Sequence, residues 1–147
     1  MKKFAILIFY FMLCSCASSN VYTSSRHNLS DYKYVVFGGD ISGDGELSSI
    51  IMFVENEISA TNLNVVSKRE AIDLIYSGIK VLSPSVNVKS EKWDGGSTYI
   101  TINFHDFDTN ELVAIVQSSG IGLSINHDQN IARNAISQKL RDIFGER

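Results

Sequence analysis

The chain has 147 residues, 13 basic and 16 acidic side chains, 44% hydrophobic residues and two cysteines. That length bounds it to one ordinary domain, and a net charge of −3 without a basic run excludes an electrostatic nucleic-acid footprint. Both cysteines, Cys14 and Cys16, lie close together near the start. No disulfide can staple the body of the chain, and no Cys-based zinc site can form there.

The start reads Met1-Lys2-Lys3, then an apolar run from Phe4 to Leu13, then Cys14-Ser15-Cys16. The run is about half of the ~20 residues a membrane-spanning helix needs. Two cations, a short apolar segment and small residues before a cysteine make a secretory signal. The stretch Leu13-Cys14-Ser15-Cys16 resembles the bacterial lipobox, with Leu13 three places before the modified residue and Ser15 just before it. The resemblance implies cleavage between Ser15 and Cys16 and acyl chains, palmitate among them, on Cys16. Each buried methylene contributes ~0.8 kcal/mol, so two or three chains would anchor the protein to a lipid bilayer. Loss of Lys2 and Lys3 leaves 11 basic against 16 acidic residues, a charge of −5. No Asp follows Cys16 and no acidic cluster is near it. By analogy with lipoprotein sorting, both absences imply the periplasmic face of the outer membrane.

Three segments follow from this reading: a signal peptide over 1–15, the lipidated Cys16 with a flexible tether over 16–30, and an α/β domain over 31–147. The tether rests on the small, polar, aperiodic run Ala17-Ser18-Ser19-Asn20-Val21-Tyr22-Thr23-Ser24-Ser25.

In the domain, Tyr32-Lys33-Tyr34-Val35-Val36-Phe37 reads as a strand ending at Gly38-Gly39. Leu47, Ile50, Ile51, Val54 and Ile58 form one helical stripe, ending near Ala60-Thr61-Asn62. Leu63-Asn64-Val65-Val66 is a short strand. Ser67-Lys68-Arg69-Glu70 matches a capping box opening a short helix that Gly78 stops. After Pro84 the period changes to two: Val86 and Val88, a turn at Asp94-Gly95-Gly96, then Ile100, Ile102 and Phe104. Asp108-Thr109-Asn110-Glu111 makes the next turn. Leu112 to Val116 is an internal strand, expected to break at Ser118-Ser119-Gly120. A final helix starts at Asn126 to Asp128, buries Ala132, Ala135, Ile136, Leu140, Ile143 and Phe144, and ends at Gly145. The fold class is α+β: a single domain, β-α-β-α-β-β-β-α, with a mixed sheet and helices packed on one face.

This order, with Val65-Val66-Ser67-Lys68-Arg69-Glu70 and the stretch from Phe104 to Val113, resembles the TolB amino-terminal-like fold. Curli-secretion-channel lipoproteins and lipoprotein activators of penicillin-binding proteins share that fold. Asn110 stands where their hairpin usually has Gly. The resemblance implies a non-enzymatic envelope accessory that docks on another protein, and it carries over no catalytic residues.

Among chemical candidates, Asp40-x-Ser42-x-Asp44-Gly45 opens like a calcium loop. Its twelfth position is Ile51, in the apolar stripe, so the ligand set does not close in that way. The Asp40–Asp44 loop stands as an alternative ion or small-ligand module. A second alternative is a hydrolase using His105 with Asp106 or Asp108. No Gly-x-Ser-x-Gly elbow, His-Glu-x-x-His or phosphate-binding loop is present, so the reading carries no enzyme, cofactor or metal. The stronger lead is a partner-binding surface. If Ile100, Ile102 and Phe104 face the helices, Tyr99, Thr101 and His105 face the other way, with Trp93 nearby.

Overall fold

The computed structural model describes residues 16–38, 45–91, 96–122 and 124–147. Six strands form one mixed sheet: β1 (Cys16–Thr23), β2 (Tyr34–Val35), β3 (Asn64–Val65), β4 (Val81–Glu91), β5 (Ser97–Asp106) and β6 (Leu112–Ile121). Three helices accompany them: α1 (Gly45–Ser59), α2 (Lys68–Tyr76) and α3 (Ile125–Phe144). The sheet order is β1-β6-β5-β4-β2-β3. β4, β5, β6 and β1 are antiparallel neighbours, and β2 runs parallel to β3 and β4. The chain is an α+β single domain with a mixed sheet, and from β2 onward its elements follow the order read from the periodicities.

The pleat of β5 divides the sheet. Ile100, Ile102 and Phe104 are fully buried on the inner face. The register brings Val86 and Val116 beside Ile102, and Ala114 beside Phe104. The stripe of α1 (Ile50, Val54, Ile58) and that of α3 (Ala132, Ile136, Leu140) close over this layer. Phe144 meets the Phe104 ring edge-on at 5.3 Å. The two helices are also tied to each other: Glu57 accepts from Ser137 and, at 3.3 Å, from Arg141.

The expectation of helices on one face describes the two long helices. α2 packs on the opposite, outer face at one end of the sheet, where Ala71 covers Val36 and Val81. Its start is the capping box read from sequence: Ser67 Oγ accepts from the Glu70 N–H, and the Glu70 carboxylate accepts from the Ser67 N–H. The Ser67 N–H and hydroxyl, both donating to Glu70 Oε2, hold its carboxyl below the usual range.

Three expectations need correction. Residues 16–23 are not a tether: they form β1, paired along all eight residues with β6. Most of their side chains are small and polar because β1 lies at the rim, where Val21 alone of the β1 side chains packs against the core. Pro84 does not precede its strand but lies inside β4. On β4, β2 pairs with Val81 and Leu82, so beyond them that side of β4 has no paired strand among the described residues and the missing N–H of Pro84 breaks no ladder bond there. Ser118-Ser119-Gly120 does not break β6, which runs unbroken to Ile121. Buried Ser118 donates its hydroxyl to the Ala132 carbonyl at 2.9 Å, and a Cβ on Gly120 would lie 2.3 Å from the Asp128 carbonyl oxygen. The small residues are the seat of α3, not a turn.

Gly120→Ala is therefore expected to cost about 1–3 kcal/mol in urea unfolding, since backbone of α3 must move. Gly38→Ala, with nothing within 4 Å of the new methyl group, should stay within about 0.5 kcal/mol. Equal effects would show that α3 does not sit so closely on β6.

Candidate functional site

The alternation that buries Ile100 and Ile102 turns Tyr99, Thr101 and His105 outward together, as expected. Their neighbours follow from the register. Tyr99 lies beside Ser119 and Lys89, Thr101 beside Gln117 and Asn87, and β1 adds Ser18, Asn20 and Tyr22 to the same face. A groove of about 190 Å³ runs across β5, β6 and β1, lined by Ser18, Asn20, Tyr99, Thr101, Gln117 and Ser119. Its lining carries no charge. Tyr99 is 40% exposed and Tyr22 56% exposed, and Ser18 and Ser119 bond each other through their hydroxyls at 2.8 Å. Trp93, Ser15 and the Asp40–Asp44 loop lie outside the described residues. Cys16 is the first residue of β1.

The hydrolase alternative places its groups apart. His105 is on the outer face, whereas Asp106, one residue on, turns inward and is buried. Asp108 sits exposed in the turn beyond. Asp106 is already engaged. Its Oδ1 accepts from the N–H groups of Asp108 and Thr109, each at 3.0 Å, and its Oδ2 accepts from the Tyr32 hydroxyl at 2.8 Å.

The structure adds a cluster that sequence reasoning missed. His27 stands between Tyr32 and Glu111: Nδ1 is 3.0 Å from Tyr32 Oη, and Nε2 is 3.0 Å from Glu111 Oε2. The contacts run in a chain Glu111–His27–Tyr32–Asp106, in which Tyr32 donates its hydroxyl to Asp106, and the His27 side chain is only 11% exposed. Such an arrangement is a clasp. It ties residues 27–32 to the β5–β6 turn. No local spacing announces it, because its members come from segments about 80 residues apart.

Burial, the Asp106 hydrogen bond and the nearby charges of Asp106, Asp31 and Glu111 push the Tyr32 hydroxyl well above the usual tyrosine range. For Asp106, burial opposes the charge. The N–H groups of Thr109 and Asp108 and the hydroxyls of Tyr32 and Thr109 outweigh it and hold the carboxyl below its ordinary value. Among the described residues no group of three or more His, Cys, Asp or Glu side chains could hold a metal ion, and no helix is long and apolar enough to cross a membrane.

No family model and no curated protein matches the chain. Among solved structures, it is similar to two PelC dodecamers from Paraburkholderia phytofirmans. One, a variant, shares 18% identity over 88% of this chain and 100% of that one; the other shares 12% over 90% and 99%; both have a TM-score of 0.49. It is also similar to a PDZ domain protein from Parabacteroides distasonis, with 9% identity, a TM-score of 0.50, and 97% of this chain against 40% of that one. At such identity this last likeness is one of fold alone.

The two shifted groups give a pH test. Asp106 has a depressed folded value, so its contribution is present above the unfolded value near ~4 and is lost as pH falls below it. Tyr32 has a raised folded value, so its contribution is complete below ~10 and is lost as pH rises further. Asp106→Asn should flatten the acid limb of a stability–pH curve, and Tyr32→Phe the alkaline limb. At neutral pH, Tyr32→Phe should cost about 1–3 kcal/mol, because Asp106 and His27 both lose a partner. Unchanged limbs in both variants would mean that the clasp is not formed in solution.

Proposed function

We propose that the chain is a lipid-anchored lipoprotein at the periplasmic face of the bacterial outer membrane, acting as a non-enzymatic accessory that binds another envelope protein. The sequence before β1 carries the anchoring half: two lysines, a short apolar run, and Leu13 and Ser15 placed around Cys16. The outer face supports the binding half. Over β5, β6 and β1 it is an open, uncharged surface of hydroxyls and amides with Tyr99 and Tyr22 exposed on it, while both long helices are spent on the inner face. Aromatic side chains with one apolar and one polar end are enriched where proteins meet. Kinship with the TolB amino-terminal-like group belongs to the same proposal, and the element order from β2 to α3 agrees with it.

The absence of a tether gives the anchor a geometric consequence. Cys16 opens β1 itself, so acyl chains on its sulfur would attach to the rim of the sheet. The domain would then be held against the bilayer rather than at the end of a mobile leash.

Labelled palmitate should enter the full chain in cells and fail to enter Cys16→Ser. A photo-crosslinker at Thr101 should give a discrete adduct with one envelope protein, and Tyr99→Ala should abolish it without altering palmitate labelling. Failure of labelling removes the anchor. A Thr101 probe without a discrete adduct removes the docking role.

A further inference from the structure

The two rims of the sheet are treated differently. On one side, β3 is only two residues long, and the part of β4 beyond β2 carries Pro84, Lys89 and Glu91. Proline, charge and short length are the devices by which edge strands avoid pairing with another chain. The opposite rim, β1, has none of them. Cys16-Ala17-Ser18-Ser19-Asn20-Val21-Tyr22-Thr23 is eight residues long, uncharged and free of proline.

Among the described residues β1 has a partner strand on one side only, and one bond fixes which of its backbone groups face the other way. The Ser24 N–H donates to the Val113 carbonyl at 2.8 Å. In an antiparallel ladder, alternate residues bond to the same neighbour, so Tyr22, Asn20 and Ser18 also face β6. Ala17, Ser19, Val21 and Thr23 therefore direct their N–H and C=O groups away from the sheet. Beside this row lies a groove of about 460 Å³ between β1 and the flank of α3, lined by Ala17, Ser18, Ser19, Asn134, Lys139 and Asp142 among others.

We propose that this rim pairs with the β1 strand of a second copy of the chain, antiparallel about a two-fold axis at Asn20. That register sets Ala17 against Thr23, Ser19 against Val21, and Asn20 against its own counterpart. All four outward residues are used, giving about eight hydrogen bonds. Same-face side chains across the seam are small or uncharged, so a self-complementary contact carries no like-charge opposition. The groove brings one cation, Lys139, and one anion, Asp142, from each copy, so doubling it adds no net charge. The helices also clear each other. α3 lies mainly over β6, and β6 is three strand spacings from its counterpart, about 14 Å. Packed helices need only ~8–10 Å, and the side chains of Asn134, Gln138 and Lys139 can occupy the remaining space. The pairing leaves the outer face open and does not depend on what docks there.

Cysteine cross-linking of the full chain in detergent-solubilised membranes tests it, with the unsubstituted chain as background for Cys14 and Cys16. In the proposed register the two Asn20 Cα atoms face each other at ~4.5 Å, within disulfide range, whereas the Ser18 pair is ~14 Å apart. Asn20→Cys should give a covalent dimer on mild oxidation, and Ser18→Cys should not. Ser19→Pro, which removes an outward N–H without touching the β6 ladder, should abolish the Asn20→Cys dimer. The proposal is overturned if Asn20→Cys cross-links no more than Ser18→Cys, if the product joins a different protein, or if Ser19→Pro folds and leaves the dimer intact. Should Ser19→Pro not fold, the comparison of the two cysteine variants decides.

Discussion

The buried row Ile100, Ile102 and Phe104, closed beneath α1 and α3, is the constraint from which the rest of the molecule follows. Side chains alternate along a strand with a period of two, so fixing this row inward fixes Tyr99, Thr101 and His105 outward. The antiparallel register then carries the same division to neighbouring strands. Val86, Val116 and Val21 go in; Asn87, Gln117 and Asn20 go out. A slip of one residue would reverse both faces at once. The core and the candidate site are thus two sides of one decision, and a variant that disturbs either registers on the other.

The same logic shows why part of the structure was legible in the sequence. Strict alternation from Tyr99 to His105 and the stripe of Ile50, Val54 and Ile58 each report a surface half buried and half wet. The Ser67–Glu70 capping box is local chemistry within four residues. The turn after β5 was equally readable. Asn110 adopts a positive φ of 57°, where Asn is one of the few side chains that sits with little strain, so it can stand in for glycine.

What was not legible depends on neighbours distant in the chain. β1 reads as a tether because its own composition barely contributes to a core; it is ordered by the free edge of β6, nearly a hundred residues later. Ser118 and Gly120 read as a break because small polar residues are common in turns. Here they are small because α3 lies against them. The clasp around His27 shares this origin: Tyr32 and Asp106 are 74 residues apart in sequence and meet at 2.8 Å. In each case the residue type was correct evidence of a close or polar environment, but the partner supplying it could not be named from one segment.

The rim strand links fold to function most tightly. Its first residue is the proposed acylation site and its backbone is the sheet's one long unprotected edge among the described strands. A charged residue on β1 would guard that edge at little cost, because only Val21 of its side chains packs into the core. The opposite side of the sheet has such guards in Pro84, Lys89 and Glu91. Solubility therefore does not account for the bare edge, since the same chain shields its other rim. With Cys16 acylated as proposed, this edge would be held in a layer next to the bilayer, where encounters between copies would be confined to two dimensions. Pairing there would join two domains through backbone bonds alone and leave both outer faces free for a partner.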